Sequence, residues 1–264
     1  MSETVHDAGA RSGEFVQSLE RGLAVIRAFG TDRARMTLSE VAREAALSRA
    51  SARRFLHTLV ELGYVVTDGR VFALRPQVLE LGYAYLSSLS LPEVAQPHLE
   101  QLVEDVGESS SVAVLDGADI VYVARVATRR IMSAAIQVGT RFPAAATSMG
   151  RAVLAHLPRK DRDAFLAVVA LEPLTPHTII DRDLLQAELG RVQEQGWALV
   201  DQELEEGLRS IATPLRDRTG RVVAALNVSA PVRRGAVDQM VADFLPPLLR
   251  AAREIEADLA RIRG

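Results

Sequence analysis

The chain has 264 residues, 48% hydrophobic and 25% charged, with a net charge of −3, enough for two ordinary domains and too apolar for wholesale disorder. The absence of Cys excludes disulfides, thiolate metal sites and Cys nucleophiles, and Lys160 as the sole lysine argues against Schiff-base chemistry. No apolar run reaches the ~18–20 residues of a membrane helix, and Met1–Gly13 lacks the apolar centre of a signal peptide, so a soluble, cytoplasmic protein with no membrane partner is expected.

Charge is unevenly distributed. Between Arg21 and Arg75 there are ten Arg against five acidic residues, which leaves 21 basic and 29 acidic residues elsewhere. A basic N-terminal piece on an acidic remainder points to a nucleic-acid module joined to a different kind of domain. Residues 1–13 read as a disordered tail. Phe15, Leu19, Leu23 and Ile26 recur at helical spacing up to Gly30, which predicts a helix over 15–29. Thr37-Leu38-Ser39-Glu40 is a capping box that opens a second helix. Ser48 caps a third, over 49–62, with Ala52, Phe55, Leu56, Leu59 and Leu62 inward and Arg49, Ser51, Arg53, Arg54 and His57 on the opposite side. Asp68-Gly69, between Tyr64–Val66 and Val71–Leu74, predicts a hairpin with Arg70 at its tip. Two helices, a short turn, a third helix and a hairpin make a winged helix-turn-helix, assigned to 14–75. Arg forks on such a helix suit guanine edges in the major groove of double-stranded DNA. The expected DNA contacts are Thr37, Ser48, Arg49, Ser51, Arg53, Arg54, His57 and Arg70; the plain alternative is a solvated polar face. Ala46 occupies the turn where glycine would adopt a left-handed conformation most easily.

Residues 76–91 read as a linker helix and 92–264 as a second domain, its first secure helix at His98–Val106. Strands are expected at Ser111–Leu115, Ile120–Val126, Ile131–Val138, Trp197–Val200, Ser210–Pro214 and Val222–Ser229. Helices are expected at Ala152–Leu157, Arg159–Val169, Arg182–Gln195 and Val237–Ile262, the last interrupted by Pro246-Pro247. Hairpins without a βαβ rhythm predict an antiparallel α+β domain.

Several runs then carry a resemblance. Phe15 to Leu23, Leu47 to Leu56, Tyr122-Val123-Ala124-Arg125, Thr128 to Ser133, Ala146 to Arg151, Gly207 to Ala212 and Ala225 to Ser229 resemble the IclR family of bacterial transcriptional regulators over nearly the whole chain. Within it, the likeness is to regulators of protocatechuate and 4-hydroxybenzoate catabolism. The resemblance implies a GAF-like effector-binding domain, a pseudo-palindromic operator, and a homodimer made partly through the first helix. A dimer of dimers is also implied, with RNA polymerase a further candidate partner. It implies no enzymatic activity, and no cofactor or metal is expected.

For the effector, a small carboxylate of the aromatic-acid type, the residues offer a helix start at Ser148, Met149 and Gly150, where free amides favour anions and a glycine permits close approach. Asp201 and Glu203 could accept from ligand hydroxyls, and Ser210 and Asn227 could bond either way. Arg125 and Arg130 are candidates for the carboxylate or for structural ion pairs; capping, turn and strand-edge roles are the plain alternative for the rest. A different small carboxylate stays open. So does a remote hydrolase reading, because Ala146-x-Ser148-x-Gly150 nearly matches a nucleophile elbow, with His156 and Asp201 as potential partners.

Overall fold

The computed structural model describes residues 14–30, 33–81, 90–128 and 136–261. They fall into two compact units, divided between Tyr85 and Leu86.

In the N-terminal unit, α1 (Gln17–Arg27) is followed by a two-residue strand β1 (Met36–Thr37), α2 (Leu38–Glu44), α3 (Arg49–Glu61) and the hairpin β2 (Val65–Thr67) and β3 (Val71–Leu74). The caps are those expected. Thr37 and Glu40 exchange bonds as a capping box, and Ser48 Oγ accepts from the Ser51 amide. The turn between α2 and α3 is closed by Leu47 N donating to Ala42 O at 2.8 Å and Ala46 N to Arg43 O at 3.1 Å. This is a Schellman cap whose left-handed residue is Ala46, φ +52°. Val25, Val41, Leu56, Leu59 and Val65 fill the core of the unit. The first helix departs from its expected pattern. Val25 is its buried residue, whereas Phe15, Leu19 and Leu23 are exposed. Leu62, expected inward at the end of α3, is exposed too. Strand β1 had no sequence signal; it adds an edge to the wing, giving the order β1-β3-β2.

Of the 76–91 segment, Pro76–Val78 forms a 3-10 turn, and 82–89 lie outside the described residues. The C-terminal unit begins with α4, one 17-residue helix that starts at Ser90, where Ser90-Leu91-Pro92-Glu93 reads as a helix start, and includes the segment expected from His98 to Val106. Pro92 sits in its first turn, where no amide is needed, and Pro97 is carried inside it. Next come β4 (Ser109–Asp116), β5 (Asp119–Val126), β6 (Arg141–Pro143), a 3-10 turn (Ala144–Ala146), α5 (Ser148–Leu154), α6 (Arg159–Val168) and α7 (Arg182–Gln195). Strands β7 (Ala198–Asp201), β8 (Leu208–Arg216) and β9 (Val222–Pro231) precede α8 (Val237–Arg261). The expected strand at Ile131–Val138 falls largely outside the described residues; 136–140 form no strand, and β6 lies just beyond. Pro246 and Pro247 do not interrupt α8. Its buried residues Met240 and Phe244 precede the prolines and Leu248, Ala251, Ala252 and Ile255 follow them, and packing along both halves outweighs the ~3 kcal/mol of an interior proline.

The six strands form one antiparallel sheet in the order β6-β5-β4-β9-β8-β7. Side-chain alternation gives it two faces. Val112, Ile211, Leu226 and Val228 pack with α4 and α8. Ala113, Ala212 and Ala225 pack with α5 and α7. The register therefore sends Ser111, Ser210, Asn227 and Ser229 to the α5 side, and Arg209 to the other.

Candidate functional site

Two regions collect the expected residues. In the N-terminal unit, Arg49, Arg53 and His57 stand on one exposed side of α3 at four-residue spacing, as helical geometry requires. With Thr37 at the α2 N-terminus and Thr67, Gly69 and Arg70 of the wing they line one concave surface. Arg70 is presented by an ordered tip: Asp68 Oδ1 accepts from the amides of Arg70 at 3.0 Å and Val71 at 2.9 Å. These two amides, Val71's foremost, hold the Asp68 carboxyl below its ordinary pKa, and Arg35 pairs with it at 2.7 Å. The remaining expected contacts are placed differently. Ser51 and Arg54 face a second groove beside Gln17, Ser18 and Arg21 of α1, and Ser48 Oγ and Ser51 Oγ bond each other at 3.0 Å.

In the C-terminal unit, Tyr122, Arg125, Ser148, Met149, Ser210 and Asn227 line one pocket, together with Ile136, Ala146, Thr147, Val200, Leu204, Leu208 and Ser229. The sheet alternation that exposes Asn227 to it also exposes Ser229, a period-2 signal that could have been read from the strand. Tyr122 and Arg125, three residues apart, share a face because the β4–β5 register slips between Val112 and Ala113. The pocket is polar along its sheet floor. Ser148 Oγ and Ser210 Oγ bond at 2.7 Å, Asn227 Nδ2 donates to Ser229 Oγ at 3.0 Å, and Arg125 Nη1 donates to Ser111 Oγ at 3.0 Å. Arg125 Nε and Asn227 Oδ1 are buried without partners among the described residues. Burial lowers the Arg125 pKa from its ordinary value and pushes the Tyr122 phenol up to about 12, so the phenol stays neutral and the guanidinium bears a desolvation cost. The free space is about 20 Å³, roughly one water molecule.

Three expected effector contacts do not line this pocket, each for a physical reason. Gly150 serves packing. A Cβ there would lie 2.0 Å from the Ala144 carbonyl oxygen and 2.5 Å from its carbon, so the close approach is made by the preceding 3-10 turn. Its amide is also taken, by Thr147 Oγ1 at 3.1 Å, and that of Arg151 by Thr147 O at 3.0 Å. Asp201 pairs across strands with Arg209, bonding it at 2.9 Å on the sheet face away from the pocket. Glu203 is buried in a bidentate pair with Arg151, both contacts 2.6 Å. Arg130 lies outside the described residues. The hydrolase arrangement fails on geometry, since His156 Nδ1 lies 2.9 Å from the Ala152 carbonyl one turn back while Ser148 Oγ pairs with Ser210. Among the described residues, no three His, Asp or Glu converge as metal ligands, and no helix is long and apolar enough to cross a membrane.

Comparison with known proteins assigns both regions to one family. Residues 18–69 match the IclR helix-turn-helix domain, and 83–257 match the bacterial transcriptional regulator IclR C-terminal domain. The Pca regulon regulatory protein of Pseudomonas putida is 45% identical over 243 residues, 92% of this chain and 84% of its own. A solved chain from Rhodococcus sp. RHA1 is 57% identical, with a TM-score of 0.83 over 93% of this chain and 98% of that one. An IclR homologue of Microbacterium hydrocarbonoxydans, crystallised with 4-hydroxybenzoate, is 29% identical with a TM-score of 0.81, over 92% of this chain and 98% of its own. The reading surface, the pocket and these matches along nearly the whole length agree: the chain belongs to the IclR family of bacterial transcriptional regulators, not to a family of enzymes.

Proposed function

We propose that this regulator controls genes of aromatic-acid catabolism and that its C-terminal pocket binds a hydroxylated aromatic acid as effector. The observation that carries the ligand class is Arg125, a partly buried cation on the pocket wall whose Nε has no partner among the described residues. An anion beside it would restore the solvation that burial has removed, and the charge-assisted bond is the stronger kind. The carboxylate goes to Arg125; Asn227 Oδ1, also unpartnered, accepts from the ligand hydroxyl. The 4-hydroxybenzoate held by the Microbacterium homologue has this pairing of groups. Since the present space holds about one water and a dry cavity that takes benzene measures about 150 Å³, the walls separate when a ring enters. The ligand then acts by its differential affinity for the two arrangements.

On the DNA side, Arg49, Arg53 and His57 enter the major groove, Arg70 meets the backbone or minor groove, and Arg54 and Ser51 lie toward phosphates. Thr37 and Ser48 shape the helix ends that present them. The protein works in the cytoplasm as a homodimer on a pseudo-palindromic operator, the exposed Phe15, Leu19 and Leu23 supplying part of the contact; pairing of dimers and RNA polymerase contact belong to the same reading. Isothermal titration with 4-hydroxybenzoate, benzoate and pyruvate tests the ligand class. Tight binding of the hydroxylated acid supports it, and a preference for pyruvate defeats it.

A further inference from the structure

Arg151 is 1% exposed and Glu203 7%, yet neither lines the pocket. Among the described residues, their charges are taken up by each other and by backbone. The guanidinium meets both carboxylate oxygens at 2.6 Å while its Nε donates to Ala145 O at 2.8 Å. Glu203 Oε2 also accepts from Ile179 N at 2.9 Å. The anchored segments are the two sides of the pocket. Ala145 precedes Ala146, Thr147 and Ser148 on one wall; Glu203 precedes Leu204 on the other. The Glu203 side is pinned further, because Thr178 Oγ1 donates to Glu203 O and Thr175 Oγ1 to Gln202 O, both at 2.7 Å. Gln202 itself holds φ +63°, a conformation costly for a non-glycine residue and kept only where surroundings impose it.

A buried ion pair is poor value as a stabiliser, since desolvation consumes most of its attraction, and well-packed apolar groups of similar volume do as well or better. Its fork geometry does fix the distance between two segments. We propose that Arg151 and Glu203 are positioning residues of the effector pocket, setting how far its walls can separate and hence the size of acid admitted. The size argument rests on the effector reading above; the wall-spacing argument does not.

Single removals leave a buried charge unpaired and can fail to fold. The test is therefore Arg151→Met combined with Glu203→Gln, which retains an acceptor for Ile179 N, alongside Glu203→Asp, which keeps both charges and shortens the arm. Titrations use 4-hydroxybenzoate and the two-ring 6-hydroxy-2-naphthoate. Wild type takes the first and excludes the second. In the double variant the affinity ratio falls about tenfold or more and amide exchange at 146–149 and 204–208 quickens about tenfold, with α8 unchanged, whereas the shorter arm of Glu203→Asp draws the walls together and weakens binding of 4-hydroxybenzoate itself. An unaltered ratio and unaltered exchange in a folded variant overturn the proposal. If wild type binds neither acid, the effector reading fails, and exchange alone decides the positioning role.

Discussion

Gly150→Ala separates the two roles a glycine can have at the start of α5. The new Cβ would stand 2.0 Å from Ala144 O and 2.5 Å from both Ala144 C and Cα, against about 3.3 Å or more for an ordinary C···O approach. Backbone must therefore move by more than about 1 Å. Ala144 is not free to yield: its amide donates to Ala118 O at 2.9 Å, and its carbonyl accepts from Thr147 N at 3.3 Å and Thr147 Oγ1 at 3.2 Å. Overpacking of a filled core costs about 1–3 kcal/mol and a loosened hydrogen bond about 1 kcal/mol. Against these stands the roughly 1 kcal/mol by which Ala outranks Gly in a helix. The net is about 1–3 kcal/mol, or about 2–12 °C in melting temperature for a unit of this size. Gly190 is the control. It also lies within a helix, α7, but nothing is found within 4 Å of its Cβ position, so Gly190→Ala raises stability by about 0.5–1 kcal/mol. Differential scanning calorimetry of both variants, following the C-terminal unit, is the assay. A Gly150→Ala protein that melts with wild type yet loses its ligand would refute the packing argument and return Gly150 to the effector.

Three further outcomes are expected. Arg125→Met lowers affinity for a carboxylated effector about 10–100-fold with unliganded DNA affinity unchanged, read by calorimetric titration; equal loss for a neutral analogue such as 4-hydroxybenzamide would contradict it. Arg53→Ala relaxes base preference at one operator position, whereas Arg70→Ala weakens binding to all duplexes alike and lowers the salt dependence by about one phosphate contact; anisotropy across a salt series distinguishes them, and identical behaviour counts against the assignment. Ala46→Gly relieves a left-handed alanine worth about 1–2 kcal/mol at an entropic cost of about 0.5–1 kcal/mol, so the N-terminal unit gains about 0.5–1 kcal/mol in urea unfolding, and a loss would show the turn is unstrained.

The N-terminal unit was largely legible because its signals are local. A capping box, a serine cap and an Asp-Gly turn each act within four residues, and all three appear where expected. The failures came from longer range. Nothing near Leu19 and Leu23 states that these apolar side chains are exposed in the folded unit. In the C-terminal unit, strand existence was readable but side-chain direction was not. Asp201 looked available until pairing with Arg209 turned it to the other face, and Tyr122 joined Arg125 only through a register slip. Glu203 looked like a ligand acceptor because the sequence does not show that Arg151, 52 residues earlier, meets it. Proline signals misled at α8, where long-range packing outweighs the local penalty.

In the proposed mechanism, one chain reads duplex sequence with residues 37–74, and an acid held at Arg125 changes that reading. The direct measurement is fluorescence anisotropy of purified protein on a promoter-derived duplex and on a scrambled one, at fixed salt, over a range of 4-hydroxybenzoate. The expected result is a preference of about a thousandfold or more for the promoter, with a saturable shift in affinity as acid is added that Arg125→Met abolishes. Equal binding to both duplexes, or an operator affinity that no concentration of acid alters, would contradict it.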